Sequence, residues 1–312
     1  MVTIFAVPKP FRDHIALIQS NAIRSWLALR PECEVILFGD DHGVGEAAKQ
    51  HGVQHVARIA KNEYGTPLLD DVFLKAQTTA KYPTLCYVNA DILLLSDFLP
   101  AVERVREEKP RFLMVGSRWD VEMNRTVPFA DGESEGEIRD LVLKTGTPRS
   151  PEWIDYFVFN RGLFTDLLPF ALGRAAFDNW LLWRATVGGA ALVDASSEVL
   201  AVHQNHDYAH HKQGQKGVWE GPEARRNREL METWDHCYFL TDASHRLTPS
   251  GLRRNRAAEH RRRRLNRSAL FQRGRRVRLA LLALTYPLRN KLGLRRASFE
   301  PLAKLLRRES EH

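Results

Sequence analysis

The chain has 312 residues, 44% of them hydrophobic and 27% charged, with a mean hydropathy of −0.37. That composition is enough for one large domain or two small ones, and it excludes both a polytopic membrane protein and a wholly disordered chain. The net charge of +8 is unevenly placed: residues 1–252 carry 27 Lys and Arg against 34 Asp and Glu, and residues 253–312 carry 19 against four. The sequence therefore reads as an acidic globular body, 1–252, followed by a basic tail, 253–312. Cys33, Cys86 and Cys237 are far apart and form no CxxC pair, so neither a disulfide framework nor a cysteine zinc site is expected. The start, Met1-Val2-Thr3-Ile4-Phe5-Ala6-Val7-Pro8, lacks the basic-then-apolar build of a signal peptide, and a reduced, cytoplasmic setting is the expectation.

In chain order, residues 3–7 form a short apolar run that a proline stops, as a buried strand does. Residues 13–29 place Ile15, Ile18, Ala22, Trp26 and Leu29 on one helical face. A strand at 34–38 (EVILF), a helix at 46–51 closed by Gly52, a strand at 53–56 and a helix at 68–81 follow. Residues 84–95 (TLCYVNADILLL) are a β-rich run broken by Asn89-Ala90-Asp91. Then come a helix at 97–109 and a strand at 112–116. This alternation predicts a mostly parallel, doubly wound α/β sheet. Residues 120–151, rich in Asp, Glu, Gly and Pro, read as a looser segment with one helix at 135–144. Strands at 155–159, 192–194 and 199–202 and a helix at 178–185 complete the body.

Four features carry chemistry. Asn89-Ala90-Asp91 stands where an apolar strand ends, and in open α/β sheets ligands bind outside that carboxyl edge. Asp91 suits a hard divalent cation that would hold a diphosphate, unless it only caps a turn. His203, His206, His210 and His211 crowd one stretch after a strand, with Asn205, Asp207 and Tyr208 among them. One histidine with Asp91 would make a mixed nitrogen and oxygen site that suits Mn²⁺ better than Mg²⁺, the alternative being a hydrated polar loop. Asp178 opens a helix that continues Asn179-Trp180-Leu181-Leu182-Trp183, and serves either as a general base or as a helix cap. Lys75, on the helix before the Asn-Ala-Asp strand, either points at a phosphate or is a solvated lysine. The first strand lacks a GxGxxG, and no GxxxxGK[ST] occurs, which disfavours dinucleotide dehydrogenases and P-loop NTPases.

From residue 1 to about 250 the chain resembles the nucleotide-sugar glycosyltransferases of the GT-A fold. Their DxD motif stands here as Asn89-Ala90-Asp91 within CYVNADILLL, with an amide at the first acid. Asp155-Tyr156-Phe157-Val158-Phe159-Asn160-Arg161-Gly162 is similar to their sugar-facing strand and turn. Phe177-Asp178-Asn179-Trp180 resembles the acidic motif of inverting members, with "DN" where many have "ED". His203 or His206 resembles their late metal histidine.

The resemblance implies a GT-A-like, Rossmann-like sheet flanked by helices, with a nucleotide half at 1–116 and an acceptor and metal half at 117–252. A nucleoside diphosphate sugar would meet Ala6, Pro8, Lys75, Asn89, Ala90 and Asp91. A divalent cation, Mn²⁺ or Mg²⁺, would sit on Asp91 and His203. A glycan or lipid-linked acceptor would meet Trp119, Asp155, Asn160, His206, Asp207 and Tyr208, with Asp178 as the base of an inverting transfer. The looser segment 120–151 would be a lid that excludes water, flanked by Trp119 and Trp153 as sugar-stacking faces or as core.

Two other classes compete. A nucleotidyltransferase making activated sugars would carry a glycine-rich phosphate loop after the first strand, which is missing. Nucleic-acid binding through the arginine tail is disfavoured by the acidic body and by the apolar stretch around Leu279, Leu282 and Tyr286. Residues 253–308 read instead as a basic amphipathic segment for an anionic membrane surface, which would make the enzyme peripheral on the cytoplasmic face, the alternative being a solvated extension that keeps the protein soluble.

Overall fold

Short β-branched runs separated by 3.6-periodic segments leave the chain one economical arrangement, in which parallel strands are joined by helices that cover both faces of the sheet. The computed structural model describes residues 1–129, 132–206 and 214–267. In it β1 (Val2–Ala6), α1 (Asp13–Ala28), β2 (Glu34–Phe38), α2 (Val44–His51), β3 (Gln54–Val56), α3 (Leu69–Thr79) and β4 (Thr84–Val88) follow the expected alternation. Next come β5 (Ile92–Leu93), α4 (Phe98–Glu108), β6 (Phe112–Val115), β7 (Arg118–Val121), α5 (Gly132–Thr145), β8 (Thr147–Pro148) and β9 (Tyr156–Asn160). Then follow α6 (Phe177–Val187), β10 (Ala191–Asp194), β11 (Ala201–Gln204), α7 (Gly214–Glu220), α8 (Pro222–Met231), β12 (His245–Thr248), β13 (Gly251–Arg254) and α9 (Ala258–Arg267).

Nine strands form one sheet in the order β13-β12-β10-β6-β9-β4-β1-β2-β3. All run parallel except β9, which is antiparallel to both β4 and β6, and the edge strand β13. Alternation along β1 sends Val2, Ile4 and Ala6 into a core under α1, α2, α4 and α5, while Phe5 enters the opposite core. There it meets Phe73 of α3 edge-on at 5.2 Å, beside Phe159 of β9 and the buried face of α6. The expected mostly parallel α/β sheet flanked by helices is the architecture found.

A second sheet, β5-β11-β7-β8, begins where the large one ends. β4 turns through Asn89-Ala90-Asp91 into β5, and β6 passes through Gly116 and Ser117 into β7. The run at 84–95 is thus divided between two sheets. Buried polar contacts lock α1 onto the small sheet: Trp26 Nε1 donates to the Ile92 carbonyl at 3.0 Å, and Gln204 Nε2 to that of Ile18 at 2.8 Å.

The segment at 120–151 differs from its expectation as a loose lid. Ile138 and Val142 of α5 are buried, and Arg139 pairs with Asp97 at 2.9 Å, so the helix is fastened to the body. The compact body runs from Met1 to His260, past the composition shift at residue 253. Arg253 and Arg254 belong to β13, an exposed sheet edge where charge is readily solvated. Residues 268–312, and with them the expected amphipathic segment, lie outside the described residues. No described helix is long and apolar enough to cross a membrane.

The link from β6 to the small sheet depends on a close approach. A Cβ added at Gly116 would lie 2.2 Å from Tyr156 Oη, a buried hydroxyl with no hydrogen-bond partner among the described residues. Gly116→Ala should therefore lower unfolding stability by about 1–3 kcal/mol, the usual scale of overpacking. In a Tyr156→Phe background the loss should shrink, because the clashing oxygen is gone. Urea denaturation of the four proteins checks this, and an equal loss in both backgrounds would contradict the packing described.

Candidate functional site

Three chain segments leave the carboxyl edge and converge. After β1 the chain runs Val7-Pro8-Lys9-Pro10, where each proline fixes its own φ. Gln19 of α1, itself buried, clamps Lys9 from both sides: its Oε1 accepts from the Lys9 N–H at 2.7 Å and its Nε2 donates to the Lys9 carbonyl at 2.9 Å. After β4, the Asn89 side chain donates to Asp155 Oδ1 at 2.6 Å and its N–H to the Asp155 carbonyl at 2.9 Å. That pair fixes the turn carrying Asp91. His203 lies on β11, opposite Ile92 of β5 on one side and Asp120 of β7 on the other.

Asp91, His203 and His206 have donor atoms all within 4.8 Å of one another. Asp91 Oδ2 is 3.1 Å from His206 Nε2 and 4.0 Å from His203 Nε2, and Lys9 Nζ lies 3.2 Å from the same oxygen. Burial alone would raise the Asp91 carboxyl, but Lys9 first, then His206 and His203, hold it well below the ordinary range. It is therefore an anion. Its other oxygen, Oδ1, is buried and has no hydrogen-bond partner among the described residues. Two imidazoles and an ionised carboxylate with an unused lone pair fit a divalent transition-metal ion. On the far side of the His203 ring, Nδ1 is 3.3 Å from Asp120 Oδ1, close but poorly aligned for a hydrogen bond. Carboxylates so placed orient metal-binding histidines.

Arg118 ties these parts together. Its Nε donates to Asp120 at 2.9 Å and its Nη1 to Asp155 at 2.8 Å, with all three side chains buried. Arg149 adds a 2.6 Å contact to Asp120. Burial would weaken the Asp120 carboxylate, but His203 and Arg118 keep it well below its ordinary pKa. The guanidinium carbons of Arg118 and Arg149 lie 4.8 and 5.5 Å from the Trp153 ring centre, and Trp219 meets that ring edge-on at 5.5 Å.

Two cavities share Asn89, Arg118, Trp153 and Asp155 as a common wall. One, of about 380 Å³, contains Lys9, Tyr87, Asp91, His203 and His206. The other, of about 400 Å³, contains Phe177, Asp178, Trp219, Trp234 and Phe239. Both are the size of small-molecule sites. Asp178 sits on the first turn of α6, after Ala176 at a left-handed φ of 86°, a conformation that L residues adopt under constraint. Burial, together with the charge of Asp155, pushes its carboxyl up to about 7, although Asn179 N–H donates to it at 2.9 Å. A carboxyl on a cavity wall and poised near neutrality is suited to proton transfer.

The expected residues divide. Pro8, Asn89, Ala90, Asp91, Asp155, His203 and His206 line the first cavity and Asp178 the second. His206, expected toward the acceptor, is nearer to Asp91 than His203 is. Lys75 is not the cation at this site: it pairs with Asp71 one helical turn away at 2.7 Å. Lys9, which sequence reasoning passed over, holds that place. Asn160 is at the wrong end of β9. Because β9 runs antiparallel, Tyr156 pairs with Val88 beside the site, while Asn160 pairs with Thr84 at the opposite edge. Trp119 faces away from Arg118 and Asp120 and packs against the core, leaving Trp153 as the aromatic wall. Ala6 is core beneath the sheet. Asp207 and Tyr208 lie outside the described residues.

No family model and no curated protein matches the chain. Among solved structures, residues 1–349 of S. aureus TarS in complex with UDP-GlcNAc are similar at 14% identity and a TM-score of 0.44, over 67% of this chain and 60% of that one. A second S. aureus TarS structure gives 11% identity and a TM-score of 0.43, over 65% of this chain and 36% of that one. This chain thus spans less than two thirds of either. Glucosyl-3-phosphoglycerate synthase from Mycobacterium tuberculosis, in complex with Mn²⁺, UDP-Glc and phosphoglyceric acid, is similar at 14% identity and a TM-score of 0.45, over 74% of this chain and 79% of that one.

Removing Arg118 would leave Asp120 and Asp155 buried with reduced compensation. Arg118→Met should cost about 3–5 kcal/mol at pH 7, the scale for breaking a buried ion pair from one side. The loss should shrink toward pH 4, where the uncompensated carboxyls can take up protons. Denaturant unfolding at the two pH values measures it, and a pH-independent loss below about 1 kcal/mol would contradict this role.

Proposed function

We propose that this protein is a glycosyltransferase of the GT-A type, moving a sugar from a nucleoside diphosphate sugar to a hydroxyl of a glycan or lipid-linked acceptor with inversion. The observation that carries the reading is the pair of adjoining cavities, one with the Asp91–His203–His206 cluster and the other with Asp178. The position of the cluster beyond the carboxyl ends of β1 and β4 supports it, since nucleotides bind there in open α/β sheets.

In this reading the donor's diphosphate lies in the first cavity. Asp91, His203 and His206 would hold a divalent cation, Mn²⁺ or Mg²⁺, which supplies charge neutralisation for the leaving diphosphate when bound. Asn89 holds the turn in place through Asp155. The acceptor enters the second cavity, where Trp219 and Trp234 offer faces that suit pyranose rings. Asp178 takes the proton of its hydroxyl as the oxygen attacks the anomeric carbon, and the bond from that carbon to the diphosphate oxygen breaks. An inverting transfer needs only this one base, and Asp178 is the carboxyl poised for it. A nucleotidyltransferase would need its nucleophile to be a phosphate, which requires no base such as Asp178.

Asp178→Asn should keep donor affinity and lower turnover by roughly 10²–10⁴-fold, the contribution of a positioned base. With the parent, turnover should rise with pH through about 7 as the carboxyl ionises. The stability sign is opposite. A carboxyl raised in the folded state from 3.8 to about 7 makes unfolding easier as pH climbs between those values, and Asp178→Asn should flatten that slope. Release of nucleoside diphosphate from a panel of nucleotide sugars, with NMR of the product's anomeric proton, checks the chemistry. Unimpaired turnover in Asp178→Asn, or a product of retained configuration, would contradict the inverting assignment.

A further inference from the structure

We propose that the Lys9 ammonium is the built-in counter-ion of the Asp91–His203–His206 cluster and competes there with a divalent cation, so that Lys9 sets the affinity for the metal. The inference rests on reading that cluster as a cation site. Lys9 Nζ stands 3.2 Å from Asp91 Oδ2 and 2.9 Å from His206 Nε2, two of the three atoms that would ligate an ion. An ion bound at about 2.0–2.2 Å from those atoms would lie against the ammonium, and two cations at contact repel strongly in a partly enclosed site. The ammonium and the metal therefore exclude each other from one place.

The surroundings allow the exchange. The Lys9 backbone is pinned by Gln19 on both its N–H and its carbonyl, so any movement is confined to the side chain. That side chain is 31% exposed and faces the first cavity, where it can turn toward an anion without leaving the site. Arg118 and Arg174, the other lysine or arginine side chains on this cavity, are held by Asp120 with Asp155 and by Glu223 respectively, and so are not free to take its place. A diphosphate in the cavity gives the displaced ammonium a new partner. Lys9 thereby links the arrival of the anion to the entry of the ion, a coupling that must be reciprocal.

Mn²⁺ alone is the probe, followed by the electron paramagnetic resonance signal of the free ion during titration of the full chain. Lys9→Met and Lys9→Gln should bind Mn²⁺ roughly tenfold or more tightly than the parent, the lower end for removing an adjacent like charge. Lys9→Arg, which keeps the charge, should bind no more tightly than the parent. A merely structural lysine would weaken binding in all three variants, and thermal melts verify that each is folded. Affinity that is unchanged or weaker in both neutral variants overturns the competition. Asp91→Ala separates the two ideas. If it abolishes Mn²⁺ binding while the Lys9 variants show no tightening, only the competition fails. If it binds Mn²⁺ as the parent does, the cluster is not the ion site and both readings fall.

Discussion

A guanidinium buried between two carboxylates fixes the geometry of this site. Desolvating Arg118 costs several kcal/mol, and it is tolerated because Asp120 on β7 and Asp155, the residue before β9, meet it at hydrogen-bonding distance. Each carboxylate has a second task. Asp120 lies against the Nδ1 edge of His203, and Asp155 holds the Asn89 turn that presents Asp91. One cation thus couples β7, β9, β11 and the end of β4, which belong to two different sheets. The same guanidinium lies over Trp153, so the wall between the two cavities is set by the same contact.

Charge placement then separates the two carboxyls that face the cavities. Asp91 is beside Lys9 and two histidines and is held as an anion. Asp178 has no basic partner among its influences, shares its surroundings with Asp155, and is pushed up to about 7. Two acids on one edge of one sheet are driven apart in acidity by their neighbours. Such a pair suits an ion-holding role for the first and proton transfer for the second.

The alternation from β1 to β4 was legible because those strands are apolar and the helices between them are periodic, and Asp91 stood out as a carboxylate ending such a run. Other features left weaker traces. Apolar alternation carries no direction, so nothing in Tyr156–Asn160 reveals that β9 is antiparallel and that its Asn160 end lies away from the site. In the small sheet β5 and β11 fall within or beside expected strands, whereas β7 and β8, of four and two residues with Arg118 and Asp120 on one face, read as loop when only hydrophobicity is counted. Arg118-Trp119-Asp120 does show period-2 alternation, with charge and aromatic ring on opposite faces, and that signal could have separated Trp119 from the site. Lys9 sits in a proline-bounded turn with no periodicity. Its role follows from Gln19, a partner ten residues away on α1.

The central claim is that the cavity beside Asp91 takes a nucleoside diphosphate together with a divalent cation. The most direct measurement is the melting temperature of the full chain with UDP, GDP, ADP, CDP or dTDP, each with and without Mn²⁺. A ligand held by the native state raises stability by mass action, about 2.7 kcal/mol at a hundredfold excess over its dissociation constant. At least one diphosphate should raise the melting temperature by several degrees, and Mn²⁺ should enlarge that rise beyond the effect of either ligand alone. A melting temperature that none of the five moves, with or without the ion, would contradict the claim.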